Sequence, residues 1–246
     1  MSTDLQTVES GEGDERVVFV HGVLDRGRSF RFVADELASE CRLTWYDRRG
    51  YGDSLDATAE AVGVDVHAQD LLGVLDGRPA VVVGHSFGGV TVLKAAISAP
   101  ELVRAVVIYE TGMAWAPGWD DGHMQAMLWG EDPEGSGARM MFGSRFEAMD
   151  ADERTRWLLE SRAFIGEERS VRRGPAPFDL STLQVPLVYG CSDEARFGVV
   201  STYLMASVPD VEIVELPGAG HNAHRTQPGP FADLVRRAIT LAADRS

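Results

Sequence analysis

The chain has 246 residues, 44% hydrophobic and 25% charged, which suits one domain, or one domain with an inserted segment, of an ordinary globular kind. Its formal net charge of −15 argues against nucleic acid and anionic membranes as partners. Two cysteines, Cys41 and Cys191, suggest neither a metal site nor a disulfide framework by number or spacing.

In chain order, the segment "MSTDLQTVESGEGDER" is acidic and has no apolar run, so it is not expected to be a signal peptide. "RVVFV" (16–20) reads as a short strand ending at "HG". "RSFRFVADELASE" (28–40) carries Phe30, Val33, Ala34 and Leu37 at helical spacing. "RLTWYD" (42–47) reads as a strand, "RRGYGDS" as a glycine-rich loop, and "VDVHAQDLLGVLDG" (64–77) as a helix. "PAVVVGHS" (79–86) is a strand, "FGGVTVLKAAISAP" (87–100) a helix stopped before Pro100, and "RAVVIYE" (104–110) a strand. Residues 111–178 show only helix-like pieces: "DDGHMQAMLWG", "PEGSGARMMFGSRFEAM" and "DADERTRWLLESRAFIG". The alternation resumes with "VPLVYG" (185–190), a helical stretch at 195–207, "VEIVELPG" (211–218) and a last helix, "GPFADLVRRAITLAADR" (229–245).

Strands alternating with helices imply an α/β fold: a mostly parallel sheet covered on both faces. Residues 1–110 and 179–246 are expected to form this core. The all-helical block 111–178 is expected to be an inserted lid over the carboxyl edge of the sheet, where such folds bind ligands. No segment has the ~20 consecutive apolar residues that span a bilayer. The expectation is a cytoplasmic protein, a monomer or small homo-oligomer, with no membrane partner.

"GHSFG" (84–88) fits G-x-S-x-G and stands between a strand and a helix, where the motif needs to be. A serine on so sharp a turn needs small neighbours, and Gly84 and Gly88 supply them. The helix that begins at Phe87 aims its positive end at the serine, favouring charge that develops on a substrate oxygen. The plain alternative is a core strand ending in small residues, with no chemistry.

Four motifs in order carry a resemblance to the α/β-hydrolases of the small, lid-bearing kind. They are "VVFVHG" (17–22), "DRRGYGDS" (47–54), "VGHSFGG" (83–89) and "PGAGHNAH" (217–224). The resemblance covers nearly the whole core and leaves the 111–178 block uninformed. It implies Ser86 as nucleophile, His221 as general base, and an oxyanion hole from the backbone N–H groups of Val23 and Phe87. Two carboxylates compete to orient His221. Asp193, in "CSDEARF" after the "VPLVYG" strand, has the commonest family position; Glu110, at the end of "VVIYE", is the alternative. The plain role for Glu110 is a polar residue lining the pocket or pinning the lid.

The other histidines read differently. His21 in "HG" and His224 read as structural, His85 as pointing away from the chemistry, and His67 and His123 as surface residues. Asp47, Arg48 and Arg49 read as ion pairs and hydrogen bonds that hold their loop.

Residues 111–178 hold Trp115, Trp119, Trp129 and Trp157, and the methionines at 113, 124, 127, 140, 141 and 149. Part of this set is core; the rest suits an apolar, adaptable pocket wall. The expected reaction is hydrolysis of a small, mainly apolar ester, thioester or lactone through an acyl-enzyme, with no metal or organic cofactor. The rivals are carbon–carbon bond hydrolysis, cofactor-free perhydrolysis, and a small-molecule-binding protein that keeps the fold without catalysis.

Overall fold

The computed structural model describes residues 5–57, 63–172, 174–193 and 195–245. Residues 1–4 of the acidic N-terminal segment lie outside them. Seven strands form one sheet: β1 (Thr7–Ser10), β2 (Glu15–Val20), β3 (Cys41–Tyr46), β4 (Ala80–His85), β5 (Val103–Tyr109), β6 (Leu187–Cys191) and β7 (Glu212–Glu215). Their order is β1-β3-β2-β4-β5-β6-β7; β1 runs antiparallel to β3 and every other pairing is parallel. The central strands are buried on both faces, which is why "VVFV", "AVVVGH" and "AVVIY" read as unbroken apolar runs. β1 escapes sequence reading because all four of its residues are exposed and none alternates.

Helices cover both faces. On one lie α2 (Val64–Leu75), α3 (Phe87–Ser98) and α8 (Ala195–Ser207), which bury residues such as Leu71, Val92 and Val200 against the sheet. On the other lie α1 (Arg31–Leu37) and α10 (Pro228–Ala243). In α10, Phe231, Leu234, Val235, Ala238 and Ala242 recur at helical spacing and face the core, and a proline opens the first turn. The short α9 (Ala223–Thr226) follows the loop after β7.

Between β5 and β6 come α4 (Gly122–Leu128), α5 (Pro133–Phe142), α6 (Arg145–Ala148) and α7 (Ala151–Arg172), with no strand among the described residues. The helix expected at 150–166 runs on to Arg172. Its extra turns carry Glu167, Glu168 and Val171, all buried. Glu167 ties α7 to the core. Its carboxylate accepts from both terminal nitrogens of Arg48 (2.6 and 3.2 Å) and from the Tyr51 hydroxyl (2.8 Å), and lies 2.6 Å from His67 Nε2. Arg48, Tyr51 and Glu167 are fully buried. His67 is buried too, which corrects the surface reading: it faces the inner side of α2, with its Nε2 beside the Glu167 carboxylate. A second buried carboxylate of α7, Glu160, accepts from Arg26 at 2.5 Å.

The chain builds the sheet outward from β2 to β3 and then returns to place β4 on the other side of β2. Connections therefore diverge at the carboxyl ends of β2 and β4, and a crevice opens there. Val20 pairs with Gly84, so the turn after β2 lies beside the turn after β4.

Candidate active site

Ser86 stands directly after β4 with φ 53° and ψ −124°, a conformation that costs a non-glycine residue of order 1–3 kcal/mol. Its N–H donates to Tyr109 O (2.9 Å) and its carbonyl accepts from Gly89 N (2.9 Å). The flanking glycines are required by close approach. A Cβ on Gly84 would lie 2.4 Å from the Gly88 carbonyl oxygen, and one on Gly88 would lie 2.1 Å from that of Val20. So α3 packs on the sheet with no room for a side chain, and Ser86 is held at the tip of the turn.

Ser86 opens into a cavity of about 330 Å³. Val23, Phe87, Glu110 and His221 line it as well, so the structure gathers these sequence-singled residues around one space. Phe87 is the first residue of α3 and presents the helix's positive end to the cavity.

His221 sits in the loop after β7, and its backbone is tied down from neighbouring strands. His85 Nε2–H donates to the His221 carbonyl (2.7 Å), and the Tyr109 hydroxyl donates to Gly220 O (3.2 Å). A carbonyl can only accept, so the His85 proton is on Nε2; burial, reinforced by His224 and His221, holds the ring's pKa well below the usual histidine range. His21 has the opposite tautomer: its Nε2 accepts from Arg48 N (2.8 Å), and Nδ1–H donates to Gly22 O (2.7 Å). Its burial and the Arg48 charge push its pKa down to about 3. Asp47 accepts from the N–H groups of Gly27 (2.8 Å) and Asp53 (2.9 Å), and Arg49 bonds Asp70 through two nitrogens (2.9 and 2.8 Å), so this loop is held as its sequence suggested.

The carboxylate against His221 is that of Glu110. His221 Nδ1 lies 2.8 Å from Glu110 Oε2. The other oxygen accepts from Ser192 N (3.0 Å) and from the Ser192 hydroxyl. Glu110 is fully buried. Burial alone would raise its pKa, but the bonds from His221 and Ser192 outweigh it and hold the carboxyl below the ordinary glutamate range. Asp193 is exposed, and the expectation that it meets His221 is corrected. The reason is local: the turn after β6 aims Ser192 inward as a donor to Glu110, and the next side chain faces solvent. Glu110 takes its direction from φ 44°, a left-handed backbone that an apolar run ending in glutamate does not announce.

Behind this group lies a brace the sequence did not reveal. Asp25 bonds Ser29 (2.9 Å) and Arg225, and His224 Nε2 lies 3.6 Å from it. Asp25, His85 and His224 each bring a potential metal-ligating atom within 4.8 Å of the others, but the Asp25 oxygens are already engaged by Ser29 and Arg225. This makes the cluster a support for the His221 loop.

From 111–178, the cavity wall includes Trp119, Met124, Met140 and Met141, with Glu168, Val171 and Arg172 from α7. Phe197 of α8 stacks parallel to His221 at 6.1 Å. Trp115 instead packs on Phe178, away from the cavity, as part of the core.

Residues 17–234 match the model of the alpha/beta hydrolase family. The chain belongs to that family. This hydrolase is 30% identical to an sn-1-specific diacylglycerol lipase of Mus musculus over 89% of its own length and 79% of the lipase. It is 27% identical to a 2-(acetamidomethylene)succinate hydrolase of Mesorhizobium japonicum, covering 98% of this chain and 91% of that one. Among solved structures, a thermophilic esterase from Thermogutta terrifontis superposes with a TM-score of 0.76 at 19% identity, covering 97% of this chain and 93% of the esterase. That likeness is one of fold. No helix among the described residues is long and apolar enough to cross a membrane.

Proposed function

We propose that this hydrolase cleaves a small, mainly apolar carboxylic ester, thioester or lactone through an acyl-enzyme, with Ser86, His221 and Glu110 as its triad. The observation that carries the reading is the His221 Nδ1 to Glu110 Oε2 bond of 2.8 Å beside a serine held at positive φ in the same cavity. With Nδ1–H given to Glu110, the lone pair of His221 lies on Nε2, and a neutral imidazole of that tautomer can take the proton of a serine hydroxyl.

In the first half-reaction the Ser86 oxygen bonds the acyl carbon as its proton passes to His221. The bond to the leaving oxygen or sulfur breaks, and that atom takes the proton from His221. Water, giving a proton to the same imidazole, then attacks the acyl carbon; the Ser86 oxygen leaves, takes that proton back from His221, and the acid is released. The N–H groups of Val23 and Phe87 face the charge that develops on the carbonyl oxygen. Glu110, held ionised by its donors, stabilises the transient imidazolium. The helices of 111–178 act as a lid whose tryptophan and methionines receive the apolar acyl group.

Labelling tests the reading. A fluorophosphonate should form one adduct, mapped by peptide mass to Ser86, and should abolish hydrolysis of 4-nitrophenyl butyrate. A label on another residue, or none, overturns it.

A further inference from the structure

A second cavity of about 330 Å³ adjoins the catalytic one. The two share a wall of Leu24, Asp25, Met141 and Arg225. The charge of this annex is unlike that of the chain, which has 23 Lys and Arg against 38 Asp and Glu. Arg26, Arg28 and Arg31 fall within six positions of one another and line it together with Arg225.

The acids beside these arginines are already engaged. Asp25 is bonded to Arg225, and Glu160 to Arg26. Arg28 and Arg31 are exposed, and neither has a carboxylate partner among the described residues. Two cations are thus left over in the wall of a cavity that adjoins the one Ser86 lines. Aromatic rings hold guanidinium groups there: Arg31 lies over Phe32 at 4.3 Å and Arg26 over Trp157 at 4.7 Å. Phe32 is 38% exposed, a large ring left in water at the rim. A guanidinium stacked on a ring keeps its N–H edge free for a planar or tetrahedral oxyanion. The negative field of the rest of the molecule is screened within about 8 Å at physiological salt, so the local excess governs what binds.

We infer that this annex holds the leaving-group half of the substrate, and that this half carries a compact oxyanion of the phosphate kind. The inference rests on the acyl-transfer reading: the acyl chain fills the apolar cavity over Ser86, and the alcohol or thiol portion passes Met141 and Arg225 to reach Arg28 and Arg31. It gives an acidic protein with an apolar pocket a polar handle on its substrate.

A matched pair of esters tests it: 1-butyrylglycerol and 1-butyrylglycerol 3-phosphate, which differ only in the phosphate, followed by butyrate release. The phosphorylated ester should show kcat/KM at least about fivefold higher, through KM, with the advantage fading in about 0.5 M salt. In the Arg28→Gln/Arg31→Gln double variant, shown to be folded by circular dichroism, the ratio should fall towards one. Equal kcat/KM in the wild type, or an unchanged ratio in the double variant, overturns the inference. A 1-oleoyl pair separates the sources: a preference kept for butyryl marks a soluble phosphate ester, and one seen only for oleoyl moves the anion to a lipid headgroup and refutes the small substrate. Calorimetry with glycerol 3-phosphate gives a readout without turnover. Binding that the double variant loses, in a protein that no fluorophosphonate labels, keeps the anion site and removes acyl transfer. Labelling at Ser86 with no binding and no preference removes the annex alone.

Discussion

At the scale of single residues, the sequence offers two carboxylates at strand ends for one imidazole, and in the structure three atoms of Ser192 and His221 engage Glu110. A carboxylate that accepts from Ser192 N, Ser192 Oγ and His221 Nδ1 is held in one rotamer and kept charged. Glu110→Gln should therefore lower kcat by ~10³ or more, because the amide misorients the base and no longer stabilises its cation. Asp193→Asn should change kcat less than about threefold, since an exposed side chain with no tie to His221 acts only through distant charge. Steady-state kinetics on both folded variants checks the pair, and the reverse order would return the role to Asp193. His85 offers a second residue-scale test. Its Nε2–H holds the His221 carbonyl, so His85→Phe should lower kcat while leaving KM nearly unchanged, and His85→Gln, which keeps a donor, should recover part of the loss.

The turns that carry Ser86 and His221 stood out in the sequence because glycines flank both: close backbone approach requires Gly84 and Gly88, and Gly218, with φ 69°, shapes the loop before His221. Glu110 was legible only as the alternative to Asp193, because its aim comes from a backbone angle and from a hydroxyl 82 positions away.

At the scale of elements, α7 shows how a polar sequence can hide a buried contact. "DADERTRWLLESRAFIG" reads only as a helix-like piece, yet Glu160 within it and Glu167 just beyond it are fully buried against Arg26 and Arg48. No apolar periodicity marks such a face, since the partners are charged side chains far along the chain. Removing one member of the pair leaves the other buried without compensation. Glu167→Met should cost about 3–5 kcal/mol of stability by urea unfolding, and Arg48→Met a comparable amount. The double variant should cost less than the sum of the two, because each single change strands the same contact. On the proposed acyl-transfer reading, the segment holding α4 to α7 also sets the acyl preference. Across acetyl, butyryl and hexanoyl esters of one alcohol, kcat/KM should rise with each methylene buried, by up to roughly 0.8 kcal/mol per group, until the cavity is full. A flat series would mean that Trp119, Met124, Met140 and Met141 do not meet the chain.

At the scale of the whole molecule, the alternation of strands and helices was readable because the central strands are buried on both faces, whereas β1, exposed along its length, left no pattern. The same burial makes the fold sensitive to acid. His21, His67, His85 and His224 are all buried with pKa values below the ordinary histidine value, in each case through burial first. The unfolded chain binds protons at these groups below about pH 6.5 while the native chain does not, so stability falls as pH drops through that value. Each such histidine contributes up to about 1.4 kcal/mol per pH unit. Glu167, held at about 2 chiefly by Arg48 against the cost of burial, loses its contribution later, as pH falls from its unfolded value towards 2. Urea midpoints measured from pH 8 to pH 5 should thus be level at first and then decline steeply below 6.5, by more than one proton's slope. A level profile down to pH 5 would mean that these histidines take up protons within the fold.

Among the described residues, four that are not glycine have positive φ: Leu24, Asp76, Ser86 and Glu110. Asp76 closes α2, and the other three line the catalytic cavity. Left-handed backbone outside glycine is thus concentrated around the cavity into which Ser86 opens, and on the proposed function this shapes how the protein can be evolved in the laboratory. A library screened for heat resistance alone will find gains that relieve the strained turn at Ser86, and those gains will come with loss of turnover. Screens that alternate heat challenge with an activity threshold should instead recover changes far from the cavity, and the positions they spare would map the site without any substrate in hand.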